Sequence, residues 1–166
     1  AMVDLYTANQ EHFTADQQPQ YVYSPRELSR WIRALYEAIR PLDQFELEGL
    51  VRLWAHEGLR LFSDRLVTDA EKDWCDERVN LIAREHFSSV DLEQVLARPI
   101  LYSNWLTKNY VSVDQTDLRQ HIEARLRTFY EEEMNVKLVV FDAVLDHVLR
   151  IDRVLRQPVG HLLLAG

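Results

Sequence analysis

His56 and Glu57 are neighbouring residues whose types suggest a metal-dependent chemistry. A zinc protease helix carries His-Glu-x-x-His, because two imidazoles one helical turn apart bind the same metal ion. In this sequence the second histidine position is Arg60, and a guanidinium does not ligate metals. His147 and His161 also have no second ligand at a metal-like spacing, and we interpret both as structural. The sequence therefore predicts no metal site.

Other reactive side chains are sparse and favour no nucleophilic chemistry. The single cysteine, Cys75, excludes an internal disulfide, and the acidic residues around it favour an ordinary reduced thiol. No Gly-x-x-x-x-Gly-Lys loop is present to bind phosphates. The run of acidic residues 131–133 is interpreted as a solvated helix end, and the acidic and basic residues of 57–65 as a surface network of ion pairs. We assign no catalytic residue.

Arg26 is the one residue whose position suggests ligand binding. Ser24, Pro25 and Glu27 form a capping-box pattern, which places Arg26 in the first turn of a helix. We expect free backbone N–H groups and the helix dipole to favour an anion there, and a guanidinium adds a fork that suits phosphate. The alternative, which the residues alone leave open, is a solvated surface charge.

The apolar periodicity predicts a mostly helical chain that would position these groups. Helices are expected over 1–15, from Pro25 to Arg40, and over 46–66, 69–87, 91–97, 114–133 and 142–156, with a helix break at 135–137. The residues expected to face the core from these helices include Leu28, Trp31, Ile32, Leu35, Ile39, Leu47, Phe129, Val148 and Leu155. The apolar and aromatic stretch 100–106 is expected to be buried irregular chain. The leucine-rich end, 161–164, is expected to be the first parallel strand of a following domain. The predicted fold class is all-α, a helical bundle with flanking helices and a truncated C-terminal strand.

The composition narrows the function classes. The 19 basic and 27 acidic residues give a net charge of −8, and no basic stripe is present, which argues against nucleic-acid binding. No apolar run reaches the roughly 20 residues that a membrane span requires. A free-standing helical interaction domain, such as an adaptor, agrees with all of these features.

Several stretches, in order along the chain, resemble the dynein heavy chain family of AAA+ motors. The residues that carry the resemblance are Tyr21–Trp31 (YVYSPRELSRW), Leu53–Leu66, Arg98–Leu106 (RPILYSNWL), Val144–Arg153 (VLDHVLRIDR) and Arg156–Leu164. The Tyr-Ser-Pro-Arg-Glu opening is similar to the cytoplasmic type rather than the axonemal type.

The resemblance implies a domain organisation and a function. In such motors six AAA+ modules form a ring, and each has a nucleotide-binding α/β subdomain and a helical lid. Residues 1–20 would be the last helix and connector of the third module's large subdomain. Residues 21–134 would be its lid, and residues 135–166 the lead-in loop, helix and first strand of the fourth module. The segment would sense nucleotide and relay conformational change, without activity of its own.

The resemblance also implies roles for individual residues and for partners. Arg26 matches the sensor II arginine, which contacts the nucleotide phosphates. Leu138, Val139, Val140 and Phe141 resemble the loop that packs on the adenine of the next module, although core packing would equally explain them. The whole motor would use ATP or ADP with magnesium. It would bind microtubules, dynein intermediate and light chains and dynactin, in the cytoplasm. No metal ligands, nucleic-acid partner or membrane partner are expected for the segment.

Overall fold

The computed structural model describes residues 1–132, 138–158 and 160–164, apart from the side chain of Glu132. Seven helices occur in this part of the chain: α1 (Met2–His12), α2 (Pro25–Ile39), α3 (Leu47–Phe62), α4 (Asp69–His86), α5 (Leu92–Val95), α6 (Gln115–Glu132) and α7 (Asp142–Arg156). Two short strands, β1 (Tyr102–Ser103) and β2 (Val111–Ser112), pair antiparallel. The predicted all-α class is therefore confirmed. None of the described helices combines the length and the hydrophobicity that crossing a bilayer requires.

The chain divides into two compact units, Ala1–Ile100 and Leu101–Gly166. In the first unit α2 packs on α3, α3 on α4, and α1 on both α2 and α4. The second unit has a core of four buried leucines: Leu101 next to β1, Leu118 in α6, and Leu145 and Leu149 in α7. The lid boundary expected at residues 134–135 lies outside the described residues, as does the helix break expected at 135–137.

Trp31 lies at the centre of the α2–α3 interface and is fully buried. Its indole N–H donates to the carbonyl oxygen of Trp54 at 3.2 Å, which satisfies the polar atom that burial would otherwise leave unpaired. The ring stacks on Trp54 with centroids 5.7 Å apart and meets Phe62 edge-on at 5.6 Å. Gly58 lets the two helices approach, since a Cβ there would lie 2.6 Å from Cζ2 of Trp31. This interface makes α2 and α3 one packed layer.

The buried face of α2 differs from the predicted one. Leu28, Ile32, Leu35 and Ile39 were expected to point inward with Trp31, but Ile32 is exposed and the other three are only partly buried. The residues that are buried lie at 27, 31, 34 and 38. Two of them are alanines, whose small side chains permit close approach to α3. Hydrophobicity alone ranks alanine below isoleucine, and for that reason the pattern selected the wrong stripe.

The remaining differences lie at helix ends and in short segments. The stretch 100–106 contributes β1, where irregular chain was expected, because Tyr102 and Ser103 pair with Ser112 and Val111. Four residues expected in the core are exposed: Leu47, Phe129, Val148 and Leu155. The strand expected over 161–164 is not formed, since no other described strand lies beside these residues to complete a hydrogen-bond ladder.

Candidate functional site at the start of α2

Ser24 and Glu27 cap the start of α2 by reciprocal hydrogen bonds. The Ser24 hydroxyl oxygen accepts from the backbone N–H of Arg26 at 3.4 Å, while the backbone N–H of Ser24 donates to Glu27 Oε2 at 2.8 Å. The Ser24 hydroxyl also donates to the same carboxylate oxygen, at 2.9 Å. The predicted capping box is confirmed. It fixes the backbone from which the Arg26 side chain projects.

The backbone of this first turn does not offer the open anion site that we expected. Pro25 has no N–H, and the N–H groups of Arg26 and Glu27 are both bonded to Ser24, the second of them to the carbonyl oxygen at 3.1 Å. Glu27 is buried, and burial alone would raise the pKa of its carboxyl group. Its hydrogen bonds with Ser24 and the positive charge of Arg65 outweigh that effect and lower the pKa. The helix terminus is therefore already neutralised by a carboxylate of the chain itself.

The Arg26 side chain is exposed and forms no ion pair within the described residues. A cation in the first turn of a helix faces the positive end of the helix dipole, which is the unfavourable end. The Arg26 side chain therefore adds no hydrogen bond or ion pair to the fold among the described residues. A phosphate contact would have to be made by the guanidinium alone, extending away from the helix terminus rather than folding back over it.

Arg65, in the turn that comes after α3, anchors the extended segment that leads into α2. Its Nη1 donates to the carbonyl oxygen of Val22 at 2.9 Å, and its Nε donates to the carbonyl oxygen of Leu61 at 3.0 Å. The guanidinium lies over the Tyr23 ring at 4.8 Å, and Nη2 is 3.6 Å from Glu27 Oε1. One side chain therefore connects α3 to both sides of the Ser24 cap.

Tyr21 makes a second connection between this segment and the start of α4. Its hydroxyl donates to Glu71 Oε2 at 2.9 Å and accepts from the backbone N–H of Val67 at 3.0 Å. Glu71 belongs to the capping box of α4, in which Thr68 is the N-cap residue. Hydrogen bonds donated to the Glu71 carboxylate by Thr68, Tyr21 and Val67 lower the pKa of this carboxyl group. Neither Arg65 nor Tyr21 could be recognised from the sequence as important to the site, because no spacing rule reports such contacts across the fold.

The residues around His56 make contacts within the fold, and one detail of the prediction was wrong. His56 is buried, and its Nδ1 lies 3.1 Å from the carbonyl oxygen of Ile100. Arg60 pairs with Asp64 at 2.9 Å, as expected for residues one helical turn apart. Glu57 is buried rather than part of a surface network. It lies on the side of α3 that faces the rest of the unit.

The other chemically interesting side chains are dispersed. His147 and His161 are both exposed, and the described residues contain no group of three potential metal ligands. Cys75 is fully buried, with its Sγ 3.7 Å from Asn9 Oδ1. Burial, assisted by the charges of Asp76 and Asp64, raises the pKa of its thiol to about 12. The expected ordinary reduced thiol agrees with this environment.

Residues 138–141 are divided between the core and the surface. Val140 packs against the leucine cluster of the second unit. Leu138, Val139 and Phe141 are 62%, 78% and 55% exposed. Core packing therefore accounts for Val140 and leaves three large apolar side chains uncovered in the described structure. The acidic run at 131–133 extends beyond the described residues.

Comparison with known proteins adds the decisive observation. The family described as "Dynein heavy chain, ATPase lid domain" matches residues 1–72. The whole chain is 61% identical to the protein named "Dynein heavy chain, cytoplasmic" of Drosophila melanogaster, over 166 residues. The chain belongs to the dynein heavy chain family. The Dictyostelium discoideum dynein heavy chain is also 61% identical over the full chain, and a "Dynein heavy chain-like protein 1" of Plasmodium falciparum is 50% identical.

The dynein match covers a small part of each relative. The chain spans about 4% of the length of the curated dynein heavy chains that it matches in Drosophila and Dictyostelium. These matches establish the family of the chain, and the structure establishes the helical bundle. They favour a lid over a free-standing adaptor domain.

Proposed function

We propose that this segment is the lid of the third AAA+ module of a dynein motor, joined to the start of the fourth. In this proposal residues 1–20 end the large subdomain of the third module, residues 21–134 form its lid, and residues 135–166 begin the next module. The segment senses the bound nucleotide and relays a change of lid position along the chain. It contributes no catalytic residue, and the complete motor supplies the ATP or ADP, the magnesium and the hydrolysis.

Arg26 is the sensing residue in this proposal. The main observation in support of this role is that its guanidinium is exposed and has no ion pair among the described residues. A long cationic side chain at the unfavourable end of a helix costs stability unless a ligand compensates. The capping box fixes its backbone without using its side chain. Arg26 is thus positioned in advance for an anion that another part of the polypeptide would bring, and a terminal phosphate accepts two hydrogen bonds from such a fork.

The packed layer of α2 and α3 would transmit the signal. A contact made with a triphosphate and lost with a diphosphate biases the lid between two positions. Because Trp31 packs between Trp54 and Phe62, α2 and α3 move as one body rather than separately. A force applied at Arg26 therefore moves the helix pair.

Leu138, Val139, Val140 and Phe141 are proposed to flank the adenine bound by the fourth module. The exposure of three of them supports this, since a flat apolar base would cover surface that is otherwise in contact with water. A Val139→Asp change in the motor should weaken nucleotide binding by the fourth module. Unchanged binding there would refute the proposed adenine contact.

The complete protein is proposed to be a cytoplasmic motor on microtubules. Dynein intermediate and light chains and dynactin would be its partners. The identity with relatives named as cytoplasmic dynein heavy chains supports this proposal, with the segment acting only as part of the larger chain.

The test is an Arg26→Ala substitution in the complete heavy-chain motor. Loss of one or two charged hydrogen bonds, about 1.5–3 kcal/mol each, should weaken ATP binding by the third module at least tenfold and leave ADP binding nearly unchanged. Arg40→Ala is the matched control, because Arg40 is an exposed arginine at the other end of α2, about 21 Å away. Equal ATP affinities in the two variants would refute the sensing role.

A further inference from the structure

We propose that Arg65 is a positioning residue for Arg26, an inference that rests on the proposed sensing function. Its guanidinium would fix the direction of the lead-in segment and first turn of α2, beyond what the packing of Trp31 on α3 fixes, so that the sensing side chain points in a defined direction. Arg65 itself would not touch the nucleotide.

The Arg65 contacts are distributed around the N-cap of α2. They reach the residues on both sides of the N-cap: the Val22 carbonyl oxygen at 2.9 Å and the Tyr23 ring at 4.8 Å before it, and Glu27 Oε1 at 3.6 Å after it. Its Nε is bonded to the Leu61 carbonyl oxygen in the last turn of α3, at 3.0 Å. Four contacts in different directions define the orientation of the segment more closely than a single hydrogen bond does.

These contacts lie in a largely buried environment. The Arg65 and Glu27 side chains are only 22% and 9% exposed, so water screens their attraction less than it screens a surface pair. The Tyr23 ring beneath the guanidinium is itself buried and stacks on Phe62 of α3 at 5.9 Å. The arginine therefore closes a packed corner between α3 and the lead-in to α2, and Arg26 lies three residues after Tyr23 in that corner.

The capping box cannot set the direction of the first turn by itself. All the hydrogen bonds of Ser24 with Arg26 and Glu27 are local, within three residues, and they move with α2 as a unit. Only contacts to another element can fix the direction of the first turn. Arg65 supplies them from α3, and Tyr21 supplies them from the α4 side.

The experiment compares Arg65→Gln, Arg26→Ala and the double variant in the complete motor, with the ratio of ATP to ADP affinity at the third module as readout. We expect Arg65→Gln to lower the ratio about threefold to tenfold, and to have no further effect once Arg26 is alanine, because residues that act through one another are not additive. Arg65→Lys keeps the charge but cannot make all four contacts, and should lie between Arg65→Gln and the native protein.

Arg52→Gln is the matched control for a purely structural loss. Arg52 lies in α3 and, like Arg65, binds backbone carbonyl oxygens of another segment, those of Val95 at 2.6 Å, Ala97 at 3.2 Å and Pro99 at 3.2 Å. It should lower thermal stability without changing the affinity ratio. If Arg26→Ala changes the ratio and Arg65→Gln does not, or if the two effects simply add, the positioning role is refuted. If Arg26→Ala has no effect, the sensing proposal fails instead.

Discussion

Gly58→Ala tests the close packing of α2 on α3. The added Cβ would lie 2.6 Å from Cζ2 of Trp31, 3.1 Å from Cη2 and 3.3 Å from Cε2. These atoms belong to a rigid, fully buried ring that is held by the hydrogen bond to the Trp54 carbonyl oxygen, so the ring cannot rotate away freely. Either the indole shifts or the helices separate.

Three contributions determine the expected change in the free energy of unfolding, two of them destabilising and one stabilising. Overpacking a core costs about 1–3 kcal/mol, and weakening the indole hydrogen bond costs about 1 kcal/mol more. Replacing a helical glycine by alanine returns about 1 kcal/mol. The net effect should be a loss of about 1–3 kcal/mol in the free energy of unfolding.

Urea unfolding of the purified chain, monitored by tryptophan fluorescence and far-UV circular dichroism, measures this loss. Gly49→Ala is the matched control in the same helix, because a Cβ there meets only Phe45 atoms at 3.5 Å or more, which is ordinary contact. It should stabilise the chain by up to about 1 kcal/mol. If Gly58→Ala stabilised the chain as much as Gly49→Ala does, the inferred α2–α3 packing would be wrong.

Three further outcomes are expected for the same unit. Ser24→Ala should cost about 0.5–2 kcal/mol of stability, measured by urea unfolding, whereas Ser29→Ala inside the same helix should cost almost nothing. Because the pKa of Glu27 is lowered, its contribution to the free energy of unfolding is present above pH 4.5 and is lost as the pH falls below that value. The stability of Glu27→Gln should therefore decline less steeply with acidification than that of the native chain. Superimposable curves of stability against pH would contradict this. The Cys75 thiol, with its pKa raised from 9.0 to about 12, should resist a disulfide reagent at pH 8 until the chain unfolds. Its contribution to stability should fall as the pH rises from 9 towards 12. Rapid labelling of the folded protein would show that the thiol is not buried.

The sequence predicted the elements whose signals are local. The Ser24 capping box, the helix that it begins and the limits of α7 could all be read from neighbouring residues, because caps and helical periodicity act over one or two turns. The Arg60–Asp64 pair is of the same kind. These features do not depend on which element packs against which.

The features that the sequence did not reveal depend on tertiary contacts. The buried stripe of α2 includes Ala34 and Ala38, and only the position of α3 makes small residues the right ones there. The anchoring role of Arg65 joins residues 43 positions apart, and the role of Tyr21 joins residues 50 positions apart. Periodicity cannot report such distances. In α6, Phe129 lies about 10 Å along the helix beyond Ile122, which still contacts the leucine cluster, and it is left exposed.

The most direct test of the sensing role is a structure of the complete motor with the third module occupied first by a triphosphate analogue and then by ADP. A guanidinium nitrogen of Arg26 should lie about 2.7–2.9 Å from an oxygen of the terminal phosphate in the first state, with that contact absent in the second. A guanidinium that is paired with a carboxylate, or that points into solvent in both states, would contradict the sensing role.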